Sequence, residues 1–581
     1  MTRTELSPQD VVIIGAGPAG LSLANLLGLR GVSVTVLEML PQLIDYPRGV
    51  GIDDESLRSL QTMGLVHRAL PFTTPSHIMR LVNGRGKQIT EIRPATDEFG
   101  WSRRNAFIQP EVDRVLYEGL DRFPHVQVLF GHEVTALSDD DDAVTVSGTT
   151  PDGEFSISAA YLVGADGGRS RTRKHIGVSF DGKSPSTRWL VADVRDDPIG
   201  APNVYLGGDP RRPYVSIGLP QSIRRFEFLL FDDEPDSLVD DDRFVDRLLA
   251  PHVPDPRSID FVRKRVYTHH SRIAGEFRRG RVFLVGDAAH LMPVWQGQGW
   301  NSGQRDATNL AWKLAAVIMG QCDDRLLDTY SAERHDHAKA MIDLSTAFGK
   351  VVKPTNRVVA GLRDVAASAL NVLPGVRDYF AQMRYKPMPR YATGAVVDAA
   401  TLEPGFSSGR VGTELHTDRA AHVRSSPVGT HFIQPTVTTA DGESKLLDDV
   451  IGYRWAVLQW AGDPERLFDD DQRAMLRTLG AVLVSVRPLV QCETAGRAET
   501  DDSDAIVVGD TTGRLKAWFD ERSTPVLFLR PDRFVAVATV PQRAGRAAAA
   551  LAEAVGLRPR TVAPKAVARR ASVPISLKES A

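Results

Sequence analysis

Cysteine is almost absent: only Cys322 and Cys492 occur among 581 residues. That excludes a disulfide framework and a cysteine-built zinc site, and makes a reducing cytoplasm the expected location. Long apolar runs are missing as well. Nowhere do eighteen apolar residues follow one another without a charge, so no membrane span is expected. Neither sign of charge is in excess. A net charge of −3 leaves no broad basic field for a nucleic-acid backbone. The polar opening, residues 1–10, runs directly into a strand-like segment, and no export signal is expected there. What is present is the composition of a folded chain, 42% apolar and 25% charged. Its length exceeds one core and implies two or three domains.

The opening reads as a strand–helix–strand unit. Val11-Val12-Ile13-Ile14 is a short apolar run suited to a buried parallel strand, and Leu23, Leu26 and Leu27 share one face of the helix that follows. Between them lies Gly15-Ala16-Gly17-Pro18-Ala19-Gly20. In this spacing Gly15 permits a tight turn, Gly17 lets a pyrophosphate approach the backbone, and Gly20 allows close helix–strand packing next to Ala19. Glu38 ends the second strand, where a carboxylate can accept hydrogen bonds from a ribose. Strand, turn, helix, strand and acid agree on a dinucleotide site.

Two further motifs follow. Tyr161-Leu162-Val163 leads into Gly164-Ala165-Asp166-Gly167-Gly168-Arg169-Ser170, a turn with Asp166 at its head. Arg281 to Val285 then delivers Gly286-Asp287, followed by Pro293 and by Gly297-Gln298-Gly299-Trp300-Asn301, which opens a helix. A carboxylate at Asp287 can bind a sugar or ribityl hydroxyl, and helix-start amides favour negative charge.

These three motifs, in this order, resemble the single-component flavoprotein aromatic hydroxylases over residues 10 to about 385. The segments 99–110 and 293–303 look closest to the 3-(3-hydroxyphenyl)propionate hydroxylases, and the C-terminal part resembles that of the phenol hydroxylase branch. The resemblance implies FAD as cofactor, NADH or NADPH as a transient co-substrate, O₂, and hydroxylation of a small phenolic acid ortho to its hydroxyl. By the same resemblance Glu38 holds the adenosine ribose, and Arg48 and Gln109 contact FAD near its pyrophosphate and ribityl regions. Asp166 serves FAD and nicotinamide, and Asp287 binds the ribityl chain. There is no second GxGxxG, so the nicotinamide has no Rossmann domain of its own.

The expected architecture is α/β. A Rossmann-like FAD-binding domain (8–184 and 276–390) is interleaved with an antiparallel-sheet substrate domain (185–275). A C-terminal thioredoxin-like domain (400–557) and a flexible tail (558–581) follow. A base that draws the phenol proton would activate the ring. His269 and His270 come first as candidates, then Tyr267. A propionate carboxylate calls for an arginine fork, for which Arg212 and Arg225 are candidates, with Tyr214 in the same sheet. No metal site is expected, and Asp139–Asp142 reads as a solvated hairpin turn. The C-terminal domain reads Ala461-Gly462-Asp463-Pro464 where a redox CxxC would stand, so it should be redox-silent and serve packing or a homodimer. Three alternatives stay open: hydroxylation of a larger polyketide-type ring, a non-hydroxylating FAD-dependent reductase or halogenase, and an inactive FAD-binding interaction protein.

Overall fold

The strand Gln9–Ile14 is the centre of the first sheet because every residue from Val11 to Ile13 is fully buried, flanked by parallel partners on both sides. The computed structural model describes residues 3–184, 187–397, 426–495 and 504–558. In it the nine-stranded first sheet runs Glu133–Asp139, Val144–Thr150, Gly153–Gly164, Gln9–Ile14, Val34–Leu37, Val126–Leu129 along its main path. Val282–Leu284 pairs in parallel with the long strand Gly153–Gly164. Register then does something the linear sequence hides. Ile14 lies opposite Leu37 and Gly164, and Gly164 lies opposite Leu284. The turns at Gly15, Glu38, Ala165 and Gly286 therefore leave the sheet at one edge, the carboxyl end of parallel strands, where α/β sheets bind ligands.

The second sheet has seven strands, in the order Phe261–Thr268, Arg188–Val194, Arg224–Leu230, Tyr214–Gly218, Val204–Gly208, Met79–Asn83, Gln88–Ile92. Pairing is antiparallel except between Val204–Gly208 and Met79–Asn83. It thus takes in two strands from residues 79–92 besides those from 188–268. Arg188–Val194 alternates between two cores, as a strand covered on both faces must. Leu190, Ala192 and Val194 pack on Phe244, Val245, Leu248 and Leu249 of the Asp242–Leu249 helix, while Trp189 joins Trp295, Met79 and Leu206. Asp139–Asp142 forms the expected turn: Asp140 Oδ1 accepts from the amides of Asp142 and Ala143, both at 2.8 Å.

Long helices, Gly299–Ile318 and Arg325–Val352, connect these sheets to the C-terminal part. There seven strands run Ser444–Leu446, Thr436–Thr439, Ile506–Asp510, Val482–Pro488, Ala456–Trp460, Val526–Leu529, Val535–Thr539. Asp463-Pro464 opens only a short 3-10 turn, and the α-helix begins at Asp470, because Asp469 and Gln472 make a reciprocal capping box. The 390–400 boundary falls partly on residues outside those described, as does the tail expected from 558 except for its first residue. No helix among the described residues is long and apolar enough to cross a membrane.

Candidate active site

Between the edge of the first sheet and the inner face of the second lies a cavity of about 350 Å³. One wall carries the glycine turn. Gly15 has φ +109°, and a Cβ there would meet Ala165 O at 2.4 Å; a Cβ at Gly20 would meet Gly15 O at 2.1 Å. Both positions are closed to any side chain. Gly17 is different: nothing lies within 4 Å of where its Cβ would be, so its open face can accept a bulky anionic group. Ala19 lines the cavity beside it and touches the Gly286 and Gly303 positions, which holds the first helix against Gly299–Ile318. Glu38 accepts from Ala16 N at 2.8 Å and from Leu40 N at 2.9 Å, which fixes it next to the turn.

Asp287 faces the cavity with water-accessible surface although protein atoms crowd round it, and no hydrogen bond or ion pair to its side chain is found among the described residues. Burial raises its pKa. An unpaired carboxylate in such a place is costly unless a ligand donates to it. Its backbone is held from below: Gly286 N donates to Asp306 Oδ2 at 2.9 Å, and Asp306 also holds His290 at 2.7 Å and Arg334 at 2.9 Å. Asp166 accepts from Ser170 Oγ at 2.5 Å and Thr172 N at 3.0 Å. The helix it starts sends Arg173 to Ala288 O at 2.7 Å and Gly168 O at 2.8 Å. The second motif is thereby bolted to the third.

Gly297 is left-handed at φ 62°, and the helix from Gly299 has no side-chain cap on its first-turn amides. Asn301 fixes this loop without facing the cavity. Its Nδ2 donates to Gly297 O at 2.7 Å and Gly51 O at 3.1 Å, and its Oδ1 accepts from Asp53 N and Ser56 Oγ at 3.0 and 2.8 Å. Pro293 O accepts from Ser345 Oγ at 2.6 Å, anchoring the preceding turn. Gln109 Oε1 accepts from Arg48 N, and its Nε2 donates to Asp113; Trp300 Nε1 reaches the other Asp113 oxygen at 3.3 Å. Burial lifts Asp113 to about 7 despite those two donors. The Arg48 side chain is exposed at the cavity mouth.

On the opposite wall the three base candidates separate. His269 is buried, stacked on Trp189 at 5.7 Å and edge-on to Trp295 at 5.3 Å. Its Nε2 lies 3.4 Å from Tyr267 Oη, which lies 3.3 Å from Glu227 Oε2. His269 Nδ1 has no partner. Burial first, then the nearby Lys353 and His270 side chains, lower its pKa to about 3, and burial raises that of Glu227. His270 stands outside this chain, its Nδ1 2.9 Å from Ser184 Oγ.

The carboxylate candidates need correction. Arg212 is clamped by Glu234 at 2.6 and 2.7 Å and does not line the cavity, nor does Tyr214, whose ring packs 4.2 Å from His252. Arg225 does line it, but Asp193 holds it at 2.7 and 3.0 Å. An arginine in a sheet that also carries acids finds a partner there, which position in sequence does not reveal. Glu227, Arg104, Gln296 and Trp295 line the cavity and were given no role by the sequence reading. Arg104 and Gln296 lay inside segments already singled out, and the alternation in 225–228 could have flagged Glu227 as a carboxylate between apolar strand residues. One acidic trio with metal-holding spacing, Asp53, Asp54 and Glu55, occurs among the described residues. Arg305, Lys386 and Arg103 already neutralise it.

The donor set fits a flavin dinucleotide: an open glycine turn, an acid at the second strand, an orphan carboxylate and uncapped helix amides at one sheet edge. Comparison with known proteins agrees. The FAD binding domain family matches residues 9–345, and the HcaD C-terminal domain family matches 429–554. A 3-(3-hydroxy-phenyl)propionate/3-hydroxycinnamic acid hydroxylase of Mycobacterium avium (strain 104) is 51% identical, over 95% of this chain and 93% of that one. Its namesake from Klebsiella pneumoniae (strain 342) is 48% identical, over 94% and 95%. The crystal structure of the flavin-dependent monooxygenase PieE with FAD and substrate shares the fold, at TM-score 0.76 and 20% identity over 95% of this chain and 99% of that one.

Proposed function

The chain belongs to the FAD binding domain family and is a flavin-dependent aromatic monooxygenase; from that premise we propose that it hydroxylates 3-(3-hydroxyphenyl)propionate, and 3-hydroxycinnamate, ortho to the phenol. The observation that carries the reading is the single cavity lined both by Asp287 and the Gly17 turn and by the aromatic wall of His269 and Trp295.

When bound, FAD supplies two-electron transfer from NADH or NADPH and the activation of O₂. The residues do the rest. Gly17 and the first-helix amides receive the pyrophosphate, Glu38 the adenosine ribose and Asp287 the ribityl hydroxyls. Arg48 and Gln109 stand at the mouth, and Asp166 holds the second loop in place. The uncapped amides after Gly297 favour negative charge on the ring edge. The apolar wall keeps water from the reacting centre.

His269 is the base in this reading. Tyr267 Oη–H donates to Glu227, so its oxygen accepts from His269 Nε2–H, which leaves the Nδ1 lone pair free. A phenol proton taken at Nδ1 moves the Nε2 proton to Tyr267 and the Tyr267 proton to Glu227. One proton enters and one comes to rest on a carboxylate whose burial already favours the protonated form. The C-terminal domain is read as thioredoxin-like, supported by the parallel strands Ile506–Asp510, Val482–Pro488 and Ala456–Trp460 continued by an antiparallel hairpin. It is taken as redox-silent: Cys492 is buried, and Cys322, packed in the core that Trp312 and Leu326 share with the C-terminal strands, has its thiol pushed up to about 12 by burial. A cytoplasmic homodimer completes the proposal. Val358, Leu362 and Val365, 67–70% exposed on one helix, support self-association, which sedimentation velocity tests.

The decisive experiment measures NADH oxidation with a panel of phenolic acids, the product identified by mass and by incorporation of oxygen-18 from O₂. A 2,3-dihydroxy product carrying the label is expected. Unlabelled product, or none from any acid, overturns the reading. His269→Gln should keep FAD and lower kcat by about 10²-fold or more, the usual weight of a general base.

A further inference from the structure

Among the arginines that line the cavity, Arg225 is neutralised by Asp193 and Arg48 lies exposed at the mouth beside Tyr46. Arg104 shares neither situation. Its strand, Arg104–Phe107, is pinned between Gly51–Asp53 and Thr73–Thr74, so its backbone is rigid. Its side chain has no carboxylate partner among the described residues, and its Nε is buried without any hydrogen-bond partner. Burial lowers its pKa only to about 10, so the guanidinium stays charged at neutral pH.

The surroundings repeat the shortage. Tyr385 Oη and Gln296 Nε2 are both buried and neither makes a well-formed hydrogen bond; the Gln296 amide lies close enough to the Tyr385 hydroxyl to pull its pKa down against burial, and Arg104 acts on the same oxygen. Trp295 and Gln296 belong to the turn held by Ser345 on Pro293, so Gln296 is as fixed as Arg104. An arginine has donors only, and a glutamine Nε2 is a donor; the tyrosine hydroxyl can donate too. Arg104 and Gln296 line the cavity, the Tyr385 hydroxyl adjoins both, and neither Arg104 Nε nor Gln296 Nε2 has a well-formed hydrogen bond among the described residues. Left so, each carries the cost of an unmade buried hydrogen bond. A ligand carrying a planar, negative, two-oxygen acceptor relieves that cost, and the guanidinium fork fits a carboxylate.

We propose that Arg104, assisted by Gln296 and Tyr385, binds the carboxylate of the aromatic acid substrate and makes the enzyme selective for acids over their neutral analogues. This rests on the hydroxylase reading above and names the group that recognises the side chain of its substrate. A neutral substrate would leave the donors unpaired, and sites that hydrogen-bond a substrate group reject analogues lacking it by large factors, up to about 10⁴.

The test compares 3-(3-hydroxyphenyl)propionate with its primary amide, using FAD-loaded wild type, Arg104→Met, Arg104→Lys, Tyr385→Phe and Gln296→Leu. Wild type should prefer the acid in kcat/KM by about 100-fold or more. Arg104→Met should bring acid and amide within about threefold of each other, mostly through KM of the acid, as expected for a binding contact that does not change in the transition state. Arg104→Lys should restore part of the preference. Arg104→Met that holds FAD and keeps the wild-type preference overturns the proposal. Where Arg104→Met does not fold, Tyr385→Phe and Gln296→Leu decide: each should cut the preference several-fold, and unchanged values in both overturn it. Turnover of neither compound by wild type defeats the hydroxylase reading separately. Equilibrium dialysis of acid and amide against wild type then decides the carboxylate site, with equal affinities refuting it.

Discussion

Two buried polar regions of this molecule differ in one respect, and the difference tells site from scaffold. At the junction with the C-terminal domain the buried acids Glu333, Asp532 and Asp448 are each met by cationic side chains, although His431 Nδ1, Gln434 Oε1 and Tyr453 Oη there lack a hydrogen bond. Glu333 accepts from Arg530 at 2.7 and 2.8 Å, Lys313 at 2.8 Å, Asn309 at 2.7 Å and Ala395 N at 2.8 Å. Asp532 takes the rest of Arg530, and Asp448 binds Arg58 and Arg533. Around the cavity Arg104 Nε, Gln296 Nε2 and His269 Nδ1 are buried without a well-formed hydrogen bond, and Asp287 faces the open space unpaired. A paired network fixes the relative position of elements far apart in sequence. An unpaired one waits for a ligand.

The comparison is broken most severely by removing a member of the paired set. Burial pushes Glu333 up, but Arg530 and Lys313 outweigh it and hold its pKa at about 2. Glu333→Gln leaves Arg530 and Lys313 undercompensated and should cost about 3–5 kcal/mol in chemical denaturation, with little change in FAD affinity of the folded protein. A loss below 1 kcal/mol would mean the junction does not hold the domains together.

Asp287→Ala should give the opposite pattern. The apoprotein should be about as stable as wild type, since Asp287 has no protein partner to lose among the described residues. FAD should bind about 10–100-fold more weakly, the worth of one charged hydrogen bond, read by flavin fluorescence titration. Equal FAD affinity would remove Asp287 from the cofactor site.

The two regions should also part company with pH. His431, buried 3.9 Å from Glu55 at the junction, is lowered to about 4, by burial first and against the pull of Glu55. Its folded pKa lies below the usual 6.5, so its contribution is present above 6.5 and lost as pH falls through 4. Asp113 under Gln109 is raised to about 7 by burial, so its contribution is present below 3.8 and lost as pH rises through 7. Denaturation between pH 4 and 8 should show the acid loss flattened in His431→Gln and the alkaline loss flattened in Asp113→Asn. Slopes identical to wild type in both would refute the assignment.

The smallest effect is expected outside both regions. Arg212→Gln breaks a partly exposed pair with Glu234 and should cost under about 1 kcal/mol and leave kcat/KM within about twofold. A tenfold loss with intact FAD binding would return Arg212 to the substrate site.

The half of the site proposed for the cofactor was legible in the chain because its parts are local. A glycine turn, an acid at a strand end and a glycine-rich helix start each depend on neighbours within a few residues, and Gly15, Glu38, Asp287 and Gly297 lie where those rules put them. The substrate half was legible only as a short roster. His269 and Tyr267 do line the cavity, but their order in a chain ending on Glu227 comes from adjacent strands, Phe261–Thr268 and Arg188–Val194 with Arg224–Leu230, separated by dozens of residues. Arg212 and Arg225 were reasonable choices by location and were lost to Glu234 and Asp193.

Sequence by itself determined the strand–turn–helix units and the chemistry they can carry, since backbone freedom and hydrophobic periodicity act over short range. Only the tertiary structure decided which charges are neutralised and which are left open. Pairing depends on what packing brings within about 3–4 Å: cross-strand register sets Arg225 against Asp193, while Arg104 meets no acid among the described residues.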